Sequence, residues 1–184
     1  SSLGALASNS FPAYSNGTYR LRIGSYATAQ AASDAIPEIA AQLPDPEQLQ
    51  VVGENSRCLT VVNMNTGDIL YEFEDATHWP AAMPIQQGGD QIMIKNGSIR
   101  YYGAFEYQRI GDNVNLISVV TMQDYLKGVI CFEMSNTWPL EALKTQAICA
   151  RGYAARNFGK HSSDGFDLCS STHCQVYKIN STLE

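Results

Sequence analysis

Glu133 stands between Phe132 and Met134 in the stretch YLKGVICFEMSNTWPLEALKTQAICARGYA, positions 125–154. An ionised carboxylate in apolar company is costly unless it is paired or its proton is put to use. Two readings follow. In one, Lys144 and Arg151 from the next segment neutralise Glu133 in a structural ion pair. In the other, Glu133 keeps its proton and works as a general acid, which requires desolvation of the kind Phe132, Met134 and Trp138 supply. Lys144 and Arg151 are seven residues apart and share a helical face with Ile148 and Ala155. Such a pair is ordinarily a solvated face, but it also suits cations that orient a nearby carboxyl. Glu141, at the start of the same helix, is read as a partner of the helix dipole rather than as a catalyst.

A second group of reactive side chains lies in CSSTHC, where Cys169, His173 and Cys174 fall within six residues and His161 is eight residues upstream of Cys169. Two thiolates and two imidazoles form a tetrahedral zinc set, although this spacing is not that of a standard finger. A Cys169–Cys174 disulfide, two inert thiols, or a cysteine nucleophile paired with His173 are the competing readings. Cys58, Cys131 and Cys149 complete an odd count of five cysteines that fits no simple disulfide framework. Cys131 and Cys149, with apolar neighbours, read as small buried hydrophobes. His78 reads as a loop residue.

The elements that must position these groups belong to a chain of 184 residues, enough for one sizeable core and a small accessory lobe. A net charge of −6 with no basic cluster argues against nucleic acid and anionic membrane as partners. No run approaches the roughly 18 apolar residues that span a bilayer. SSLGALASNS reads as part of a linker over 1–18, of the kind left when a signal or anchor is removed. Leu183-Glu184 resembles a junction ahead of an affinity tag. Residues 19–63 give strand, Ala-rich helix (27–43, interrupted by Pro37) and strands, an order weakly like small peptidoglycan-binding modules of the SPOR type. Residues 49–73 read as strands around a turn at Asn65–Asp68, and 92–122 as a meander with turns at Asn96-Gly97 and Gly111–Asn113. One long helix is expected over 138–158, capped from Asn136-Thr137 and ended by Gly159. The closing FDLCSSTHCQVYKI has strand-like ends, and alternation sets Gln175 and Tyr177 on one side. The fold class is therefore α+β, rich in antiparallel strands.

The stretch at 125–154 resembles the signature of the SpoIID (stage II sporulation protein D) family, also called SpoIID/LytB. That pattern reads roughly Y-L-x-G-V-[VI]-x-x-E-M-x-x-x-W-P-x-E-A-L-K-x-Q-A-x-x-A-R-x-Y-A. FDLCSSTHCQVYK at 166–178 is similar to the family's second block, and TGDILYEFE and IRYYGAFE to its β-rich upstream part, which assigns 64–182 to a SpoIID-like domain. The resemblance implies an extracytoplasmic cell-wall protein of sporulation or wall remodelling. Its substrate would be the glycan strand of peptidoglycan, cut by lytic transglycosylation between N-acetylmuramic acid and N-acetylglucosamine. It implies Glu133 as the acid, Lys144, Arg151, Gln175 and Tyr177 as supporting or sugar-binding groups, and some support for zinc on His161, Cys169, His173 and Cys174. LytB-type members imply the alternative of a non-catalytic glycan-binding module or an enhancer of amidase autolysins. Family members usually continue past the second block, so part of a substrate cleft is expected beyond these residues.

Overall fold

A computed structural model describes residues 9–53, 58–85, 94–96, 99–135 and 137–178. The chain is α+β and divides into two compact units, Ser1–Pro80 with Arg109–Val114, and Ala81–Gln108 with Asn115–Glu184. Among the described residues no helix is long and apolar enough to cross a membrane.

The first unit is built on a four-stranded sheet in the order β2-β1-β4-β3, from β1 (Ser10–Ser15), β2 (Thr18–Ile23), β3 (Leu59–Val62) and β4 (Ile69–Glu74). The β1–β2 and β3–β4 pairs are antiparallel, whereas β1 runs parallel to β4 with Ala13 opposite Glu72. Part of the stretch read as linker is thus a central strand. Its alternation buries Phe11 and Ala13, and pairing on both sides stabilises a segment whose small residues carry little strand signal. Helix α1 (Ala29–Ala40) begins at Thr28, whose hydroxyl accepts from the Ala31 N–H, and runs through Pro37 without dividing. Arg22 bridges Glu72 and Glu74 across the sheet. Strand β1 thus precedes the strand–helix–strand order expected over 19–63.

The second unit holds the chemistry. Here β5 (Ala81–Ala82), β8 (Ala104–Ile110) and β9 (Asn113–Val119) form a three-stranded sheet, and β6 (Ile94–Asn96) pairs with β7 (Ile99–Tyr101) in a separate hairpin. The expected meander is thus split in two. The Asn96-Gly97 turn and Leu183-Glu184 extend beyond the described residues. Gly111 makes the β8–β9 turn with φ of 59°.

The quoted motif forms two helices, α2 (Met122–Glu133) and α3 (Leu140–Arg156), not one. Thr121 caps α2 by accepting from the Asp124 N–H, and the Asp124 carboxylate binds Lys127 at 2.8 Å. After Glu133 the chain leaves the helix at Met134, whose backbone is extended, and Ser135 and Thr137 make a turn of their own. Pro139 then stands at the cap position of α3, which receives no side-chain cap, and α3 ends at Arg156 rather than 158.

Leu126, Val129 and Ala150 are the buried centre of the second unit, with Met122, Tyr125, Ile130 and Tyr177 packed against them. Ala150 and Ala154, almost fully buried, hold small side chains where α2 and α3 approach. Of the apolar stripe that helical spacing predicts for this helix, Leu140, Leu143, Ala147, Ala150 and Ala154, only the last two are buried, and Leu140 is 65% exposed. Cys149 is exposed and Cys131 half-buried, so the first is not the core residue its neighbours suggested. Complete burial of Val129 contributes on the order of 1.5–3 kcal/mol.

Gly128 records how tightly α2 is covered. A Cβ there would overlap the Tyr177 ring and come within 2.9 Å of the Lys178 carbonyl oxygen. The Gly128→Ala substitution is therefore expected to cost about 1–3 kcal/mol, measured as a lowered denaturation midpoint with unchanged slope. An unchanged midpoint would show that the ring is not seated there.

Candidate functional site

Glu133 is the last residue of α2, and its side chain is exposed. A glutamate at the negative end of a helix dipole gains nothing from its own helix. It takes its hydrogen bond from outside, from the Val176 N–H to Oε1 at 3.2 Å. No lysine or arginine among the described residues forms an ion pair with it. Phe132 and Trp138 are 40% and 53% exposed, so they do not close a dry pocket over the carboxyl as the sequence reading expected. Trp138 is open to solvent, and Lys178 Nζ lies over the Phe132 ring, 5.8 Å from its centre.

The cations of α3 are not brought to Glu133. Lys144 binds Glu141 at 2.8 Å one turn away, with both side chains mostly exposed. Local (i, i+3) geometry supplies a partner more cheaply than a tertiary contact does. Arg151 is exposed, as is Ile148 on the same face. This is the solvated helix face, and neither Lys144 nor Arg151 makes the expected ion pair with Glu133.

Gln175 and Tyr177 do lie on one side of their segment, but that side faces inward. Gln175 is buried, and its Oε1 accepts from the Tyr125 hydroxyl at 2.9 Å. Tyr177 stacks on Tyr125 with ring centroids 5.4 Å apart. The segment is not a strand; it lies along α2, where the Lys178 N–H reaches the Gly128 carbonyl at 3.4 Å. These are packing contacts within the second unit.

Burial pushes the phenols of both Tyr125 and Tyr177 up to about 12. A raised value in the folded state means that the fold favours the neutral phenol. That contribution is complete below the ordinary value of 10 and is lost as pH climbs from 10 through 12. Absorbance titration near 295 nm is expected to show two phenols ionising late, together with alkaline unfolding. If all tyrosines ionised together near 10 in the folded chain, the two rings would be solvent-facing.

His161, Cys169, His173 and Cys174 do converge, with ligand atoms all within 4.8 Å of one another. Cys174 Sγ lies 3.4 Å from His161 Nε2 and 3.8 Å from His173 Nδ1, and Cys169 Sγ lies 3.7 Å from His173 Nδ1. Zinc–sulfur and zinc–nitrogen bonds of ~2.3 and ~2.0–2.1 Å in a tetrahedron give nitrogen–sulfur edges of about 3.6 Å. The donor set and its spacing therefore fit zinc.

The surroundings are consistent with that fit. The Ser171 hydroxyl and N–H hold the Cys169 thiol well below its ordinary value, at about 5, in the thiolate form that binds metal. His161 Nδ1 faces Asp164 Oδ2 at 3.4 Å, the arrangement by which a carboxylate fixes a ligating histidine's tautomer. A single bridge between His161 and Phe166 folds the loop back, and Lys160 ties it to the His173 carbonyl at 3.1 Å. Sequence spacing located all four of the side chains that converge. It missed Asp164 and Lys160, whose polar settings look like those of any loop.

A cavity of about 940 Å³ in the second unit has Phe105, Leu116, Met122, Phe158 and Tyr177 in its wall, and Glu133 is not part of it.

Comparison with known proteins adds the following. No solved structure matches the chain. An uncharacterized protein of Brachyspira hyodysenteriae is 38% identical over 91 residues, covering 47% of this chain and 25% of that protein. This chain thus spans only a quarter of that relative's length. Residues 111–184 match the family described as SpoIID, stage II sporulation protein. The match takes in both motif helices and the Cys/His cluster; the upstream strands at 66–74 and 99–106, which also resembled the family, fall outside it. Residues 111–184, with Glu133 and the four clustered Cys and His side chains, are thus similar to the SpoIID family.

Proposed function

We propose that the chain carries the catalytic part of a peptidoglycan lytic transglycosylase, acting outside the cytoplasm in sporulation or wall remodelling, with Glu133 as its acid and base. The observation that carries this reading is the state of Glu133. It is exposed, free of any cation among the described residues, and held by one backbone N–H at the end of a helix.

A carboxyl so placed can meet a glycosidic oxygen. Glu133 gives its proton to the oxygen leaving muramyl C1 as an oxocarbenium-like centre develops. The resulting carboxylate takes the proton of the muramyl C6 hydroxyl, whose oxygen closes on C1 as a 1,6-anhydro ring. The proton count balances, no water is consumed, and no second carboxylate is required, unlike in a glycosidase. Exposed Phe132 and Trp138 suit stacking on sugar rings.

The Cys/His cluster is proposed to hold zinc through His161 Nε2, Cys169 Sγ, His173 Nδ1 and Cys174 Sγ. Four protein ligands close a zinc site and leave no position for substrate, which makes it structural.

Product analysis by mass spectrometry on glycan strands with and without stem peptides tests the function. Anhydro-muramyl ends are the expected result. Glycan or amidase binding with no anhydro product, in zinc-loaded protein, would instead mark a binding or amidase-enhancing module.

A further inference from the structure

The segment from Cys174 to Lys178 joins the Cys/His cluster to Glu133 within three residues. Cys174 is buried and sits in the cluster, 3.4 Å from His161 Nε2. The next residue, Gln175, is buried and accepts from the Tyr125 hydroxyl. The one after that, Val176, donates its N–H to Glu133. Beyond it, Tyr177 covers Gly128 and Lys178 binds the Gly128 carbonyl. Tyr125, Gly128, Phe132 and Glu133 follow helical spacing along one side of α2, so the segment lies along the face that ends in the acid.

We propose that this segment is the device that positions Glu133, with Gln175 and Tyr125 as positioning residues and the Cys/His cluster as its anchor. The inference rests on Glu133 being the acid. Its physical basis is that a long glutamate side chain at an exposed helix end has several rotamers of similar energy. One charge-assisted hydrogen bond selects among them only if its donor is itself fixed. The Val176 N–H is fixed on one side by the ligand two residues back, and on the other by the stacked ring of Tyr177. The part-buried Tyr125–Gln175 bond between these anchors sets the register. Gln175 is thus needed as an acceptor, not as a sugar-binding amide, and the cluster affects turnover without touching substrate.

Amide hydrogen exchange by NMR on the zinc-loaded chain is the test, and it needs no turnover. Exchange at Val176 is expected to quicken about tenfold in Glu133→Ala, in Gln175→Leu and in Tyr125→Phe, while the buried Val129 amide stays protected and zinc content is unchanged. Gln175→Glu, which keeps an acceptor, is expected to restore protection at Val176. In the glycan assay, Tyr125→Phe and Gln175→Leu are expected to lower kcat about tenfold with KM unchanged.

Equal Val176 exchange in wild type, Gln175→Leu and Tyr125→Phe would overturn the proposal. So would loss of Val129 protection in both variants, because the bond would then be a fold contact only. If the wild type cuts no glycan, the transglycosylase reading fails by itself, and the exchange result still decides whether the segment holds Glu133.

Discussion

Replacing Glu133 with glutamine is expected to abolish release of 1,6-anhydro-muramyl products, lowering kcat on denuded glycan by roughly a thousandfold, within the range that general acid–base catalysis supplies. The size of the effect follows from Glu133 serving twice. Glutamine cannot give a proton to the leaving oxygen, and it cannot take one from the C6 hydroxyl. Stability is expected to change by less than about 0.5 kcal/mol, because an exposed side chain with one hydrogen bond carries little of the fold. The amide oxygen of glutamine can still accept from Val176, and no ion pair is broken. A melting temperature and zinc content equal to those of the wild type would therefore accompany the lost activity. Wild-type rates in the purified variant would remove Glu133 from the mechanism. Lost activity with a collapsed melting temperature would return Glu133 to a structural role.

The chemistry of the site was more legible in the sequence than its geometry. The convergence of His161, Cys169, His173 and Cys174 was foreshadowed by residue type and spacing, whereas for Glu133 residue type alone left a structural ion pair open and the acid reading came from the resemblance to the SpoIID signature. What residue types do not carry is which neighbour a side chain chooses. Lys144 pairs with Glu141 because that partner is one turn away, and no pattern could weigh this against Glu133 in advance. Helix α2 was missed although its signals were present in Thr121, Asp124 and the apolar positions 122, 125, 126 and 129. Gln175 and Tyr177 were placed on one side correctly and facing the wrong way, since alternation fixes a side and only tertiary packing decides whether it meets water. Strand β1 was invisible for the complementary reason: its order comes from two neighbouring strands, not from its own residues.

Removing the proposed zinc is expected to have the largest structural effect. From Gly159 to Lys178 the chain has one short 3-10 turn, Ser162–Asp164, and the single His161–Phe166 bridge. A segment with so little backbone pairing owes its order to side-chain ties, and the Cys/His cluster is where four of them meet. Structural zinc sites hold apparent folding free energy of about 10–16 kcal/mol in small domains, against a total stability of roughly 5–15 kcal/mol for a typical domain. If only about 3 kcal/mol of that is realised here, the melting temperature falls by roughly 10–20 °C. Chelation, or Cys174→Ser, is expected to produce that fall. It should also free Tyr125 and Tyr177 to ionise near the ordinary phenol value and release one zinc per chain by metal analysis. The disulfide reading makes the opposite prediction. A Cys169–Cys174 bond would leave three titratable thiols and respond to reductant, whereas all five cysteines are free in this fold and zinc-bound thiols become titratable on chelation. A chain that binds less than about a tenth of an equivalent of zinc and melts alike with and without chelator would sink the metal reading. In that case the loop would have to be held by hydrogen bonds such as those of Lys160 and Asp164 and that from the Gly159 N–H to Asp167 Oδ1 at 3.0 Å, at a surface where each is worth on the order of 1 kcal/mol.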